Sequence, residues 1–372
     1  MTYEEIDVVD RDAVMKALST VIDPELRVDI VTLGMVDAVT VDAGHVEVTV
    51  LLTIAGCPLK DTITRDTEEA VLAVEGVAEV TVHLGTMTSE QRAELRNKLK
   101  RSNPFKDSLT RIYAVASGKG GVGKSSVTAN LAASMAQQGL KVGVIDADIY
   151  GFSIPGMFGI TGQPTRVDDM ILPRVAHGVK VMSIGMFIGG NQAIVWRGPM
   201  LHRALEQFLT DVHWGDLDIL FLDLPPGTGD IAISVAQLLP QSELLVVTTP
   251  QHAAAQVAQR AGSIAVQTSQ KVAGVIENMS YMTMPDGSTF EVFGSGGGED
   301  VAQNLTDTLD YPVRVLGQVP LDPPVREGGD DGTPAVIAHP ESAASKVFSQ
   351  MAHELSHRSR GLSGRSLGVT PS

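Results

Sequence analysis

Two hydrophobic rhythms divide the chain. Up to about residue 95 the apolar positions alternate, or recur at helical spacing, in short stretches; from about residue 109 they gather into continuous runs separated by longer helical patterns. In the first part, Val14, Ala17, Leu18 and Val21 fall on one face of a predicted helix over residues 10–20. Residues 35–41 and 45–53 read as strands joined by the turn Asp42-Ala43-Gly44. Within the second of these, Val46, Val48 and Val50 alternate with Glu47 and Thr49, the period of a half-buried strand. Residues 58–74 predict a helix and 77–84 a closing strand. The pattern therefore predicts a small α+β domain over 8–95. A charged linker over 96–108, with Ser102-Asn103-Pro104, follows it.

In the second part, strands are predicted over 112–116, 142–146, 179–183, 219–223, 244–248, 272–278 and 313–319. Continuous apolar strands alternating with helices indicate a mostly parallel sheet covered on both faces, the α/β class, over a domain of residues 109–355. The tail over 356–372 lacks core residues and is expected to be disordered.

The first of these strands leads into Gly118-Lys119-Gly120-Gly121-Val122-Gly123-Lys124-Ser125, which fits G-x-x-x-x-G-K-[ST], and a helical stretch follows it. Strand, glycine loop and helix in that order are the context the phosphate-binding loop requires. Glycines let successive backbone N–H groups turn toward phosphate oxygens, and the helix adds its positive end. Lys124 would neutralise the β- and γ-phosphates, Ser125 would ligate Mg²⁺, and Ser126 completes the cradle. The fold expected is thus that of a P-loop NTPase. Asp146 ends the next strand, at the carboxyl edge where open α/β sheets bind ligands. It is placed near the hydrated Mg²⁺, and Asp148 is placed to orient the attacking water. Asp223 ends the apolar run Phe221-Leu222-Asp223, the Walker B position, and Pro225-Pro226-Gly227-Thr228-Gly229 is a loop able to sense the γ-phosphate. Asn278 has two readings, a contact to the adenine edge or a turn-forming asparagine.

Composition narrows the class. A chain of 372 residues with 43% hydrophobic and 19% charged positions suits two or three globular domains. The formal net charge of −16 opposes binding to nucleic acid backbones, so no nucleic acid partner is expected. No apolar run approaches the ~18 residues of a spanning helix, and the acidic start Thr2-Tyr3-Glu4-Glu5 is unlike a signal peptide. The single cysteine, Cys57, allows no intrachain disulfide; a cytoplasmic protein without a membrane partner is expected. Cys57 precedes Pro58 and so stands at the start of a predicted helix, where thiolate is favoured; it is open as an iron–sulfur ligand or as a small buried hydrophobe. The nine histidines form no metal-ligand spacing. Gly294-Ser295-Gly296-Gly297-Gly298, lacking a strand–helix frame, is expected to be a flexible loop.

Lys119, directly after the first glycine, resembles the deviant Walker A signature of the MinD/ParA/nitrogenase-iron-protein ATPases. The resemblance implies that Lys119 reaches a partner's phosphates in a homodimer; taken alone it is also a solvated loop charge. Trp196-Arg197-Gly198-Pro199-Met200, Trp214-Gly215-Asp216-Leu217-Asp218, Asp223 to Asp230, Thr249-Pro250-Gln251, Glu277-Asn278-Met279-Ser280 and Val319-Pro320-Leu321-Asp322 resemble the Mrp/ApbC iron–sulfur cluster carriers. Asp23-Pro24-Glu25-Leu26 and Thr53-Ile54-Ala55-Gly56-Cys57-Pro58 resemble the small domain shared with iron–sulfur assembly factors. The resemblance implies ATP-linked binding of clusters and delivery to apo client proteins by a homodimer. One departure stands out. Where these carriers have a Cys-x-x-Cys pair, this chain has Met284 and Gly287. Clusters are held by four thiolates, so the bridging cluster is not expected there. A nucleotide-switched scaffold without a cluster is the alternative function. A MinD/ParA-type positioning ATPase is a third, which the absence of a basic surface or amphipathic tail disfavours.

Overall fold

The computed structural model describes residues 10–24, 26, 28–42, 44–53, 59–99, 105, 108–149, 151–167, 170–187, 198–227, 229–251 and 254–358. Cys57, Pro58, Trp196, Arg197, Thr228 and the tail from residue 359 lie outside them. The chain forms two compact units. One comprises residues 1–102 with 164–173 and 211–215; the other takes the remainder.

The first unit runs α1 (Arg11–Leu18), β1 (Val36–Asp42), β2 (His45–Leu52), α2 (Lys60–Leu72), β3 (Glu79–Thr86) and α3 (Ser89–Leu99). Asp10 starts α1 by accepting a hydrogen bond from Asp12 N at 3.0 Å, which satisfies one of the helix's orphan donors. β2 is central, antiparallel to β1 across the predicted turn and parallel to β3. The alternation seen in the sequence is the alternation of burial: Val46, Val48 and Val50 are fully buried. They pack with Val14 and Leu18 of α1 and with Ile63 and Val71 of α2. Each such side chain contributes about 1.5–3 kcal/mol on leaving water. The α2 helix begins at Lys60 rather than at 58.

The second unit continues with β4 (Arg111–Ser117), α4 (Lys124–Gln137), β5 (Val142–Asp146) and α5 (Ile154–Met157). A small hairpin, β6 (Thr165–Val167) with β7 (Met170–Leu172), belongs to the first unit, whose core takes up Val167 and Leu172. Then follow β8 (Arg174–Ala176), β9 (Val179–Ser183), α6 (Gly198–Thr210), β10 (Ile219–Asp223), α7 (Asp230–Leu238), β11 (Glu243–Thr248), α8 (Ala254–Thr268) and β12 (Lys271–Asn278). The chain ends with β13 (Met282–Thr283), β14 (Thr289–Phe290), α9 (Gly297–Leu309), β15 (Val315–Val319), α10 (Pro323–Asp331), α11 (Ala335–Ala338) and α12 (Ala343–His357).

The main sheet has eight strands in the order β15-β12-β11-β4-β10-β5-β9-β8. Every neighbouring pair is parallel except β8 with β9. The α/β reading holds. The seven predicted strands are all present, and the antiparallel edge strand β8 is an addition. β4, the P-loop strand, lies between β10 and β11, and α4 packs Leu131 and Met135 into a core with Tyr113, Phe221 and Phe348. Ser342 starts α12 by accepting from Ser345 N at 3.2 Å, and the helix extends past Ser356, where the tail was expected to begin.

One expectation is corrected. The run Gly294–Gly298 is not a loop throughout: Gly297 and Gly298 are buried and open α9. A Cβ on Gly297 would lie 2.6 Å from Thr249 O, and one on Gly298 would lie 2.9 Å from Glu277 Cβ. These glycines serve close packing, which no local pattern reveals.

Candidate functional site

The loop after β4 is shaped by its glycines. Gly121 and Gly123 have φ of 78° and 77°, the left-handed region that side chains disfavour. Gly118 fits because a Cβ there would lie 2.7 Å from Val257 Cα, and a Cβ on Gly123 would overlap Asn278 Nδ2. Gly123 stands at the N-cap of α4 without a side-chain cap, which leaves the helix's first amides to an anion. The loop is held from three sides. Arg260 Nη1 donates to Gly118 O at 2.6 Å, Asn278 Nδ2 donates to Val122 O at 2.9 Å, and Gly227 N donates to Ser117 O at 2.9 Å.

Inside this frame, the predicted residues of the phosphate and magnesium site come together. Lys124 Nζ lies 2.8 Å from Asp223 Oδ2, with the lysine 6% and the aspartate 0% exposed. Ser125 Oγ donates to the same Oδ2 at 2.6 Å, and Thr128 Oγ1 donates to Oδ1 at 2.8 Å. Asp146 is the register partner of Asp223 on the neighbouring strand and is fully buried. It accepts from Asp148 N, Ile154 N and Ser183 Oγ, each at 3.2 Å. Burial, and then the charge of Asp223, push its pKa up from 3.8 to about 7. Asp148 is buried on the loop after β5. The donors Ser125 Oγ, Asp223 and Asp146 are hard oxygens. They fit Mg²⁺, which is held by one or two carboxylates and completes its shell with phosphate and water, and the P-loop hydroxyl is the further oxygen such sites use. Among the described residues, no group of three or more His, Cys, Asp or Glu side chains is placed to hold a metal ion by itself.

Lys119 stands apart from Lys124: its Nζ donates to Gln251 Oε1 at 2.6 Å. Asn278 ends β12, and the next residue, Met279, has φ of 57°. Its amide is spent on the P-loop carbonyl, a third use beside the two read from sequence. A cavity of about 420 Å³ opens beside Gly123 and Ser126, between Asn278, Met279, Leu321 and Val325. Its mixed lining suits a nucleoside continuing from a phosphate tail at Gly123. Thr128 was not singled out from sequence, although it follows Lys124 by one helical turn and so faces the same way. Gln251 and Arg260 carried no signal beyond the stretch Thr249-Pro250-Gln251.

At the place of the expected cysteine pair, Met284 and Gly287 close a turn between β13 and β14. Gly287 N donates to Met284 O at 2.9 Å, and Met284 N donates to Ser288 O at 2.8 Å. Asp286 Oδ1 accepts from Ser288 N and Oγ at 2.9 and 2.6 Å, which holds its pKa below the usual carboxylate value. Neither a thioether nor a glycine replaces a thiolate, so this hairpin does not fit a cluster. Among the described residues, no helix is long and apolar enough to cross a membrane.

A parallel sheet with a glycine cradle, a buried lysine and a strand-end aspartate defines a P-loop NTPase. Residues 108–356 match the family described as NUBPL iron-transfer P-loop NTPase, and residues 11–82 match that of the iron–sulfur cluster assembly protein. The chain is 59% identical over 367 residues to the iron–sulfur cluster carrier protein of Mycobacterium tuberculosis, covering 96% of both. It is 43% identical over 364 residues to that of Deinococcus radiodurans, covering 97% of this chain and 98% of the relative. A nucleotide-binding protein of Archaeoglobus fulgidus, solved with ADP, is 34% identical with a TM-score of 0.54; the match covers 70% of this chain and 97% of that one. The chain belongs to the family of iron-transfer P-loop NTPases, and ahead of that match it carries the stretch that matches the iron–sulfur cluster assembly protein family.

Proposed function

We propose that this chain hydrolyses ATP with Mg²⁺ and, as a homodimer in the cytoplasm, carries iron–sulfur clusters to apo client proteins. The observation that supports this best is the buried contact of Lys124 and Ser125 with Asp223 at the start of α4. On this reading, residues 118–126 cradle the triphosphate and Lys124 neutralises its β- and γ-oxygens. Ser125 and Asp223 hold Mg²⁺, with Asp146 behind them. Asp148 orients the water that attacks the γ-phosphorus as ADP leaves. Lys119 comes to the phosphates of the second protomer, and Asn278 borders the nucleoside. The names of the relatives support the cargo. The cluster is substrate here, and the Met284–Gly287 hairpin is not its holder. Cys57 is the candidate thiolate; one per chain gives two per dimer, so a small thiol, a client protein, or His and carboxylate side chains must supply the other ligands.

The test is anaerobic loading with ferrous iron and sulfide, absorbance and iron analysis, and transfer to an apoprotein, with phosphate release followed in parallel. The expected result is Mg²⁺-dependent phosphate release together with a transferable cluster that disappears in Cys57→Ser. Intact phosphate release without any transfer would favour the second reading, a nucleotide-switched scaffold. The hydrogen-bonded Met284–Gly287 turn, which occupies the usual ligand position, is the observation in its favour.

A further inference from the structure

One stretch of chain far away in sequence, residues 251–260, grips the first two residues of the phosphate loop. Val257 packs against Gly118 so closely that a Cβ would lie 2.7 Å from its Cα, and Arg260 Nη1 donates to Gly118 O at 2.6 Å. On the same stretch of chain, Gln251 accepts a hydrogen bond from Lys119 Nζ at 2.6 Å. Gln251 is exposed, but the backbone just before it is closely packed. A Cβ on Gly297 would come within 2.6 Å of Thr249 O and 2.7 Å of Pro250 O, so the start of α9 backs residues 249 and 250. An ammonium donates and never accepts, so its partner on Gln251 is the amide oxygen. The acceptor is neutral. A charge-assisted bond to it is strong enough to select one conformer of a flexible lysine, and weaker than the bond to a phosphate oxygen that would replace it.

We infer that Gln251 is a positioning residue that latches Lys119 to its own protomer, so that Lys119 is released to a partner's phosphates only when two nucleotide-loaded protomers meet. The inference rests on the proposed role of Lys119 in trans. The latch then sets the protein concentration at which turnover begins, because each encounter must break two Lys119–Gln251 bonds. Removing the acceptor favours the released lysine, and strengthening it opposes release.

The experiment measures ATP turnover per chain against protein concentration for the full chain, Gln251→Ala, Gln251→Glu and Lys119→Ala, at saturating Mg-ATP. Gln251→Ala is expected to lower the concentration giving half the limiting turnover about threefold to tenfold. Gln251→Glu, which turns the bond into an ion pair, should raise it by a similar factor. A merely structural role would move both variants in the same direction, and that outcome overturns the latch, as does no movement in either. A fall in limiting turnover in Gln251→Ala also overturns it, because Gln251 would then act inside the assembled dimer. Lys119→Ala separates the two levels: loss of turnover at every concentration upholds the trans reading even where the latch fails. Full turnover in Lys119→Ala sinks both.

Discussion

The two units bury their strands differently. In the first, the inward face of β2 is Val46, Val48 and Val50, and the unit's core is built from aliphatic side chains. In the second, strands equally apolar along their length end in carboxylates: Asp146 on β5, Asp223 on β10 and Glu277 near the end of β12, each 0–1% exposed. Glu277 accepts from Gly298 N at the start of α9 and from Gln318 Nε2, so it is tied into the packing. Burial, and then the charge of Asp223 beside it on the neighbouring strand, raise the cost of ionising Asp146. Such an arrangement lowers the stability of the bare fold and persists where a cation or ligand repays it. The contrast sets the strand-end carboxylates in the second unit against the valine face of β2 in the first, and each half of it can be attacked.

The largest effect is expected at Lys124. Lys124→Ala should abolish phosphate release, a loss of at least about 10³-fold for a group that meets the transferring phosphate. It should also destabilise the P-loop unit by about 3 kcal/mol, because Asp223 stays buried without its cation. Adding Asp223→Ala to that variant should recover most of the stability and none of the activity. Denaturant unfolding and phosphate release on the three proteins check this; equal stability of wild type and Lys124→Ala would show that the buried pair contributes nothing net.

A somewhat smaller effect depends on pH. With its pKa pushed from 3.8 to about 7, Asp146 keeps its proton in the folded chain at pH values where the unfolded chain has lost it. The folded state binds more protons across that window, so unfolding free energy falls as pH rises and levels off above about 7. At ~1.4 kcal/mol per pH unit, the fall between pH 5 and 8 is about 3 kcal/mol. Subtracting the profile of Asp146→Asn removes the other titrating groups. The difference, wild type minus variant, should decline by that amount in nucleotide-free protein. Parallel profiles would mean that Asp146 is ionised in the fold at no cost.

How much of this was legible depended on how local the cause was. The phosphate cradle could be read because its glycines, lysine and serine are consecutive and set by backbone geometry. The parallel strands could be read because strands covered on both faces must be apolar throughout. Thr128 was within reach of helical spacing. Contacts joining distant positions were not: the Lys119–Gln251 bond, the seat of Gly297 against Thr249 and Pro250, and Asn278 donating to Val122. Residues 164–173 and 211–215 join the first unit although the chain around them builds the second. Membership of a core follows from packing, and short strands such as β6 and β7 carry no periodicity long enough to announce it.

The smallest effect tests the first unit. Thr67 lies on the buried face of α2 between Ile63 and Val71, fully buried, and its Oγ1 has no hydrogen-bond partner. A hydroxyl taken from water without a partner costs about 1–3 kcal/mol, while valine fills the same volume with a methyl group. β-Branching is the same in both, so backbone and rotamer preferences change little. Thr67→Val should therefore raise stability by ~1 kcal/mol, read as a higher denaturant midpoint at unchanged slope. Nucleotide affinity and phosphate release should stay as they were, since α2 and the phosphate loop belong to different compact units. Were Thr67→Val to destabilise the chain, the hydroxyl would be satisfied in solution, and the packing of α2 against the valine face of β2 would be less purely apolar than the contrast with the carboxylate-ended strands requires.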